Sequence, residues 1–575
     1  MNYQIEYERW LASEALTEEE KSELTAISGD EETKQFRFEQ PMNFGTAGLR
    51  STMYMGIGCM NRFTVAQTTR ALASLVKEEG GEQRGVVIAY DSRNNSELFA
   101  RVCASILAYY GVKAYIFDDL RPTPELSFAL RELSAMAGIN ITASHNPKEY
   151  NGYKAYWEDG AQIGPEQAKI ISAKISEFDV LDTDGIFNFE EAVRDGRIEF
   201  LDRSFDERYI NAVMETAISP ELIKEVSDEL KIVYTPLHGA GTRLVPEVFS
   251  RVGVKHLYTV PEQMKPDGNF PTVKKPNPEY KDVFELGIKI ADEVKSDLVI
   301  ATDPDADRVG VMARNKNGEF VTVSGNQMGA LLLDYAINAR REAGKLLNNA
   351  YAVKSIVSTD MAYKICEQQG IKLHDVLTGF KFIGEVIKNY ESSGDSNGFV
   401  LGFEESYGYL LGTYTRDKDA VEASMLILEM TAYYKKKNMT LCDALEALYS
   451  TYGNYGEAMI DIYMEGLDGI EKRRRVMSSL REDAPRELGG YRVKAIGDYM
   501  SAVFTYIDSG ETKPTGQPKS DVLYYILEND DKIIIRPSGT EPKIKIYVLA
   551  HGDSKSALDQ KIKNYKESAK RLTEL

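Results

Sequence analysis

Gly85-Val86-Val87-Ile88-Ala89-Tyr90-Asp91-Ser92-Arg93 is an apolar run of strand length that breaks into a polar exit. A run that short, with no polar alternation, fits a strand buried on both faces. A helical stretch follows over roughly 95–110, and a second strand, Lys113 to Phe117, leads to Arg121-Pro122-Thr123-Pro124. Upstream, Thr64 reads as the N-cap of a helix in which Val65, Leu72, Leu75 and Val76 recur at helical spacing, and Gly80-Gly81 stop it. Strand alternating with helix predicts a largely parallel sheet with helices on its faces.

The pattern recurs. Lys231-Ile232-Val233-Tyr234 runs into Thr235-Pro236-Leu237-His238-Gly239-Ala240-Gly241, and Asp297-Leu298-Val299-Ile300-Ala301 runs into Asp303-Pro304-Asp305-Ala306-Asp307-Arg308. Ala352-Val353-Lys354-Ser355-Ile356-Val357 runs into Ser358-Thr359-Asp360. Open parallel sheets bind ligands at the carboxyl ends of their strands, so these loops are where chemistry is expected. After about residue 452 the character changes to a basic helical stretch around Lys472-Arg473-Arg474-Arg475, then three strands, Val522 to Leu527, Asp531 to Ile535 and Lys543 to Leu549, and a closing helix over 554–574. That end reads as a smaller α+β domain with antiparallel strands. Residues 1–40 read as charged helical material.

At 575 residues the chain exceeds one hydrophobic core, and several domains are expected. The formal net charge of −20 argues against a nucleic-acid binder, although a local group of Arg and Lys can still hold a small anion. Four cysteines, Cys59, Cys103, Cys366 and Cys442, form no CxxC pair, which argues against a disulfide framework and for a reducing compartment. No signal-like or membrane-spanning run is read, so a cytoplasmic protein without a membrane partner is expected.

Two segments carry the chemistry. Asp303, Asp305 and Asp307 follow a buried strand, and alternate side chains on extended backbone point the same way. Three carboxylates held together repel unless a cation neutralises them, and an all-oxygen set favours Mg²⁺ or Ca²⁺. An EF-hand is excluded, because position six is not glycine and position twelve is not glutamate. Ser144, in Thr142-Ala143-Ser144-His145-Asn146-Pro147, offers a hydroxyl with His145 beside it. Set next to the aspartate loop, it would carry a phosphoryl group beside a divalent cation. Lys154 is the expected general acid/base, because a desolvated lysine loses its proton more readily. Arg536-Pro537-Ser538-Gly539-Thr540-Glu541-Pro542 combines a guanidinium, two hydroxyls and a glycine between two strands, as an anion-binding nest does. Gly402-Phe403-Glu404-Glu405-Ser406-Tyr407-Gly408 offers acceptors of the kind that recognise sugar hydroxyls.

Taken together, the segments FGTAGLR, TASHNP, NGYK, DPDADR, GFK, FEESYG and RPSGTEP make the chain resemble the α-D-phosphohexomutases, over nearly its whole length and in the same order. The resemblance implies an α/β protein of four domains around a central cleft: three similar units, each a mixed sheet flanked by helices, and a distinct C-terminal α+β domain. The expected domains are 1–205, 206–322, 323–452 and 453–575. It implies that Ser144 is phosphorylated and is a further ligand, with Asp303, Asp305 and Asp307, to one Mg²⁺. By the same resemblance Lys154 is the general acid/base, and Arg308 and Arg50 lie near the transferring phosphoryl group. Thr378, Gly379, Lys381, Glu404 and Ser406 meet the sugar, and Arg536, Ser538, Gly539 and Thr540 grip the phosphate that is not transferred.

The implied activity is interconversion of glucose 1-phosphate and glucose 6-phosphate, primed by glucose 1,6-bisphosphate, in a monomer or homodimer whose partners are small sugar phosphates. Relatives that also use mannose usually carry a His shortly after the sugar-loop serine, where this chain has Tyr407-Gly408-Tyr409. Pentose-specific relatives share FGTAGLR and YTPLHGAG, but many lack the serine at Ser406. The competing readings are a pentose or mannose mutase, a sugar-phosphate phosphatase, and a non-catalytic binding protein.

Overall fold

The structure is a computed structural model that describes residues 2–45, 48–464, 469–538 and 543–573. The chain forms two compact units. One comprises Met1–Val323, Gly384–Phe399 and Tyr407–Thr440, and the other Ser324–Ile383, Val400–Ser406 and Leu441–Leu575.

The first unit holds two sheets of related plan. In the first sheet, strands β1 (Leu49–Thr52), β2 (Val86–Tyr90), β3 (Ala114–Phe117), β4 (Ala137–Ile141), β5 (Tyr150–Trp157) and β6 (Ile198–Leu201) lie in the order β1-β5-β4-β2-β3-β6. β4, β2, β3 and β6 are parallel, while β5 runs antiparallel to both β4 and β1. The second sheet contains β7 (Lys231–Thr235), β8 (His256–Thr259), β9 (Leu298–Thr302), β10 (Val309–Arg314) and β11 (Phe320–Val323), ordered β11-β10-β9-β7-β8. Here β8, β7 and β9 are parallel and β10 is antiparallel to β9 and β11. The order β5-β4-β2-β3 is therefore repeated as β10-β9-β7-β8. The Ser144 loop joins β4 to β5 and the aspartate loop joins β9 to β10, so both leave equivalent places in two like sheets, at strand carboxyl ends.

NGYK is part of a strand. Asn151-Gly152-Tyr153-Lys154 lies within β5, and Gly152 sits opposite Arg50 of β1. A Cβ at Gly152 would fall 2.6 Å from the Thr142 carbonyl oxygen, so only glycine allows the two strands and the Ser144 loop to close together. The helix expected to start at Thr64 spans Arg62–Glu78 and is capped by Asn61, whose side chain accepts from the N–H groups of Phe63 and Thr64. Thr64 returns a bond to Asn61 N–H, so it is the third residue of a capping box and not the cap itself.

Residues 1–40 contain three helices, Tyr3–Leu11, Glu18–Ala26 and Glu31–Phe38. They join the core of the first sheet through Tyr7, Trp10, Leu24 and Phe38. Trp10 is fully buried and meets Phe38 and Phe63 edge to face, with ring centres 5.8 and 5.5 Å away. Arg62 fixes the extension from the other side, pairing both its Nε and Nη2 with Glu20 at 2.8 Å.

In the second unit, β12 (Tyr351–Ser355), β13 (Lys372–Val376) and β14 (Phe399–Glu404) are ordered β13-β12-β14, with β12 and β13 parallel. β14 enters this unit at Val400, and β15 (Gly408–Leu410) belongs to the first unit. The C-terminal part is an antiparallel sheet of β16 (Asn454–Tyr463), β17 (Glu487–Leu488), β18 (Tyr491–Asp498), β19 (Val503–Tyr506), β20 (Thr512–Pro514), β21 (Leu523–Leu527), β22 (Lys532–Pro537) and β23 (Lys543–Gly552). Its path is β16-β23-β22-β21-β18-β19-β20, with β17 pairing β18. The helices Gly469–Glu482 and Lys555–Arg571 contribute Met477, Leu480, Leu558 and Tyr565 to its core. Among the described residues no helix is long and apolar enough to cross a membrane.

Candidate active site

Ser144 and the aspartate loop meet. Ser144 Oγ donates to Asp303 Oδ2 at 2.7 Å and lies 3.1 Å from His145 Nδ1. One carboxylate oxygen from each of Asp303, Asp305 and Asp307 fits within a 4.8 Å span, and all three side chains are buried. The convergence does not arise from extended backbone, as the alternate spacing suggested. The loop is a turn: Ala306 takes φ 48°, its N–H donates to Asp303 O, and the N–H groups of Asp307 and Arg308 both donate to Asp303 Oδ1. Asp303 thus spends one oxygen on its own turn and turns the other to Ser144.

Cations enclose the trio. Lys154 Nζ lies 2.7 Å from Asp305 Oδ2 and 3.4 Å from Asp307 Oδ2, and Lys418 Nζ lies 2.7 Å from Asp307 Oδ2. Burial alone would depress the Lys154 pKa, the direction expected from sequence, but the charges of Asp305 and Asp307 outweigh it and hold the ammonium above its ordinary 10.5. Burial pushes Asp303 well up, reinforced by Asp305 and Asp307, whereas Asp305 is held below the usual carboxylate range because Lys154 overcomes its burial. Asp305 Oδ1 and Asp307 Oδ1 are buried without a hydrogen bond. Unsatisfied carboxylate oxygens facing a compact all-oxygen set suit a hard divalent cation.

Arg308 Nη1 pairs with Glu279 Oε1 at 2.7 Å, and Arg50 Nη1 donates to Asn146 Oδ1 in the Ser144 loop at 3.2 Å. In the second unit, Gly379 N–H donates to Glu404 Oε1 at 2.8 Å, which brings two of the expected sugar-binding segments together. Gly379 adopts φ 121°, a region that residues with a Cβ rarely adopt. Thr378, Lys381 and Ser406 are partly exposed there. Arg536 is the last residue but one of β22, and Ser538 N–H donates to Lys543 O at 2.8 Å. Gly539 and Thr540 lie outside the described residues, as do Thr46 and Ala47 of FGTAGLR.

Sequence reasoning missed Lys418 and the buried Thr123, whose Oγ1 donates to Asp305 Oδ2 at 2.8 Å. Lys418 stands in Asp417-Lys418-Asp419, which reads as a solvated charged turn; only burial marks it.

Three models of the phosphoglucomutase/phosphomannomutase family match the chain, as α/β/α domain I over residues 41–180, domain II over 207–318 and domain III over 324–452. A phosphoglucomutase of Staphylococcus aureus (strain USA300) is 36% identical over 513 residues, which are 89% of this chain and 90% of that protein. Among solved structures, a phosphoglucomutase/phosphomannomutase family protein from Burkholderia thailandensis superposes with TM-score 0.64 at 18% identity, covering 93% of this chain and 98% of that one. The open form of pp63/parafusin, a phosphoglucomutase from Paramecium, gives 0.66 at 17% identity, covering 93% and 96%. The chain therefore belongs to the phosphoglucomutase/phosphomannomutase family, and its fold is the mixed α/β architecture of that family with a β-rich C-terminal domain.

Proposed function

We propose that the chain is an isomerase that interconverts glucose 1-phosphate and glucose 6-phosphate by way of a phosphoserine at Ser144 and glucose 1,6-bisphosphate. One observation carries the reading: the Ser144 hydroxyl stands 2.7 Å from a carboxylate of a buried aspartate trio. The 36% identity to a phosphoglucomutase over most of both chains supports glucose as the sugar, as does Ser406 in the sugar loop.

Asp303, Asp305 and Asp307 would hold Mg²⁺, with Ser144 as a further ligand. When bound, the ion supplies charge neutralisation for the transferring phosphoryl group. Ser144 gives its phosphoryl group to O6 of glucose 1-phosphate; the bisphosphate turns end for end, and Ser144 Oγ recovers a phosphoryl group from O1. Lys154 hands a proton to Ser144 Oγ as that oxygen leaves and takes up the proton that the attacking O6 hydroxyl gives up; in the return step it takes the Ser144 proton and passes one to the departing O1. His145, Arg308 and Arg50 complete the transferring centre. Thr378, Gly379, Lys381, Glu404 and Ser406 read the sugar, and Arg536, Ser538, Gly539 and Thr540 hold the distal phosphate. We read the four domains as 1–205, 206–322, 323–452 and 453–575, in a cytoplasmic monomer or homodimer.

The test is phosphopeptide mass spectrometry on Ser144 together with assays on glucose 1-phosphate, mannose 1-phosphate and ribose 1-phosphate. Phosphate on Ser144 and the highest kcat/KM for the glucose ester are expected. A fully active Ser144→Ala enzyme would overturn the reading, and a preference for the pentose ester would move the substrate to the neighbouring branch.

A further inference from the structure

We propose that Arg93 is a positioning residue that sets the backbone of the nucleophile loop, an inference that rests on Ser144 being the phosphoryl carrier. Arg93 is 3% exposed. Its Nη1 donates to the carbonyls of Pro147 and Tyr150 at 2.8 and 3.0 Å, and its Nη2 donates to those of Ser144, at 2.5 Å, and Asn146. Four carbonyls within one seven-residue stretch converge on a single guanidinium. The stretch departs from regular backbone, with Ser144 itself at φ 51°, and apart from the Arg93 fork its Pro147 carbonyl accepts from Tyr150 N–H at 3.1 Å. One guanidinium bridges all four carbonyls, so the shape of the loop is tied to this donor fork.

The fork is held in turn. Arg93 Nε lies 3.3 Å from Asp91 Oδ2 at the end of β2. Asp91 Oδ2 also accepts from Thr142 Oγ1 at 2.5 Å, and Thr142 Oγ1 accepts the peptide N–H of Ser144 at 2.8 Å. Asp91 Oδ1 takes the Arg93 N–H at 2.9 Å and the Ser96 hydroxyl at 2.8 Å. The N–H of Ser144 is therefore tied to Asp91 through Thr142, and its carbonyl is tied directly to Arg93. Phe270, 5.0 Å from the guanidinium, covers its face from the second sheet's side of the unit. Ser144 must keep one position while it gains and loses a phosphate charge of about −2, and the Asp91–Arg93 pair clamps the peptide on both sides of it. A lysine keeps the charge but offers donors from one point, and it cannot reach four separate carbonyls.

The experiment uses the full-length enzyme with Mg²⁺ and compares Arg93→Lys, Arg93→Ala with and without low-millimolar guanidinium, and Ser144→Ala. The readouts are kcat and KM for glucose 1-phosphate, the rate at which glucose 1,6-bisphosphate phosphorylates the dephosphorylated enzyme, and thermal melting. Misplacing the nucleophile by about 1 Å lowers rate by about 100-fold, so Arg93→Lys should lose about that factor in kcat and in single-turnover phosphorylation, with KM nearly unchanged. Guanidinium should restore part of the Arg93→Ala rate. A folded Arg93→Lys enzyme with kcat near that of the unaltered enzyme overturns the inference, as does a rate loss that only tracks the unfolded fraction. Should Arg93→Ala fail to fold, Arg93→Lys decides alone. An inactive Ser144→Ala beside an unaffected Arg93→Lys sinks this inference and spares the mutase reading, whereas an active Ser144→Ala sinks that reading.

Discussion

Thr123 holds Asp305 by two bonds: its hydroxyl donates to Asp305 Oδ2 at 2.8 Å, and its peptide N–H donates to Asp305 O at 2.9 Å. Asn140 Nδ2 donates to the same hydroxyl at 2.6 Å, so the hydroxyl proton is left to point at Asp305. Thr123 opens the helix Thr123–Glu132, where first-turn N–H groups have no partner within the helix, and the aspartate loop takes one of them.

Thr123→Val keeps the shape and removes the donor. Partners of this kind, one bond behind a ligand, typically change metal affinity by about 10–100-fold, so the Mg²⁺ concentration giving half-maximal activity should rise about tenfold. Titrating activity against Mg²⁺ checks it; an unchanged half-point would show that Lys154 alone orients Asp305.

Removing the cation is a coarser probe. Chelation should abolish turnover and Mg²⁺ should restore it. Asp305→Asn should resist restoration, because the substitution removes a charge from the trio while leaving Lys154 and Lys418 in place. Full activity in excess chelator would remove the metal from the mechanism.

Gly379→Ala forces a residue with a Cβ into φ 121°, with strain of about 1–3 kcal/mol. The strain falls on the N–H that binds Glu404, so KM for glucose 1-phosphate should rise severalfold while the melting temperature changes little. A lowered kcat with unchanged KM would detach this loop from sugar binding.

Trp10→Ala should destabilise the first unit by about 3–5 kcal/mol, the usual range for deleting a buried large aromatic. Urea unfolding followed by fluorescence gives the value. A loss below about 1 kcal/mol would mean that the N-terminal helices rest on the domain rather than complete it.

His551 supplies a pH test. Its Nδ1 lies 2.9 Å from the buried Asp531 carboxylate, and that bond raises its pKa above the ordinary 6.5. A cation favoured by the folded state stabilises fully below the unfolded pKa, and the contribution is lost as pH rises through the higher folded value. The melting-temperature advantage over His551→Gln should therefore be greatest near about pH 5.5 and shrink towards about pH 9. An advantage that grows with pH would contradict the ion pair. Half of the imidazole is in solvent, so the effect is modest.

Much of the fold was legible because each parallel strand is a short apolar run with a polar exit. β2, β7 and β9 lie within a residue or two of where the runs place them. β5 was not legible: Tyr150–Trp157 has no clean alternation, since one face meets the sheet core and the other meets the site. β16, β19 and β20 are partly exposed and weakly patterned, and they were missed for that reason; β18 alternates over Tyr491–Asp498 and was missed although the signal was there. At the site, the residue types of Ser144 and the aspartates announced themselves. Thr123 did not, because its meaning lies in a partner 182 residues away. The direction of the Lys154 shift was also hidden, since burial and two carboxylates act in opposite senses and only their distances decide between them.

The first family model begins at residue 41, yet Trp10, well ahead of that point, lies between Phe38, also ahead of it, and Phe63 beyond it. A gene trimmed to the matched segment would strip an indole and a phenyl lid from the domain and leave a greasy crater facing water. Such a shortened protein would clump in the cell long before its chemistry could be assayed.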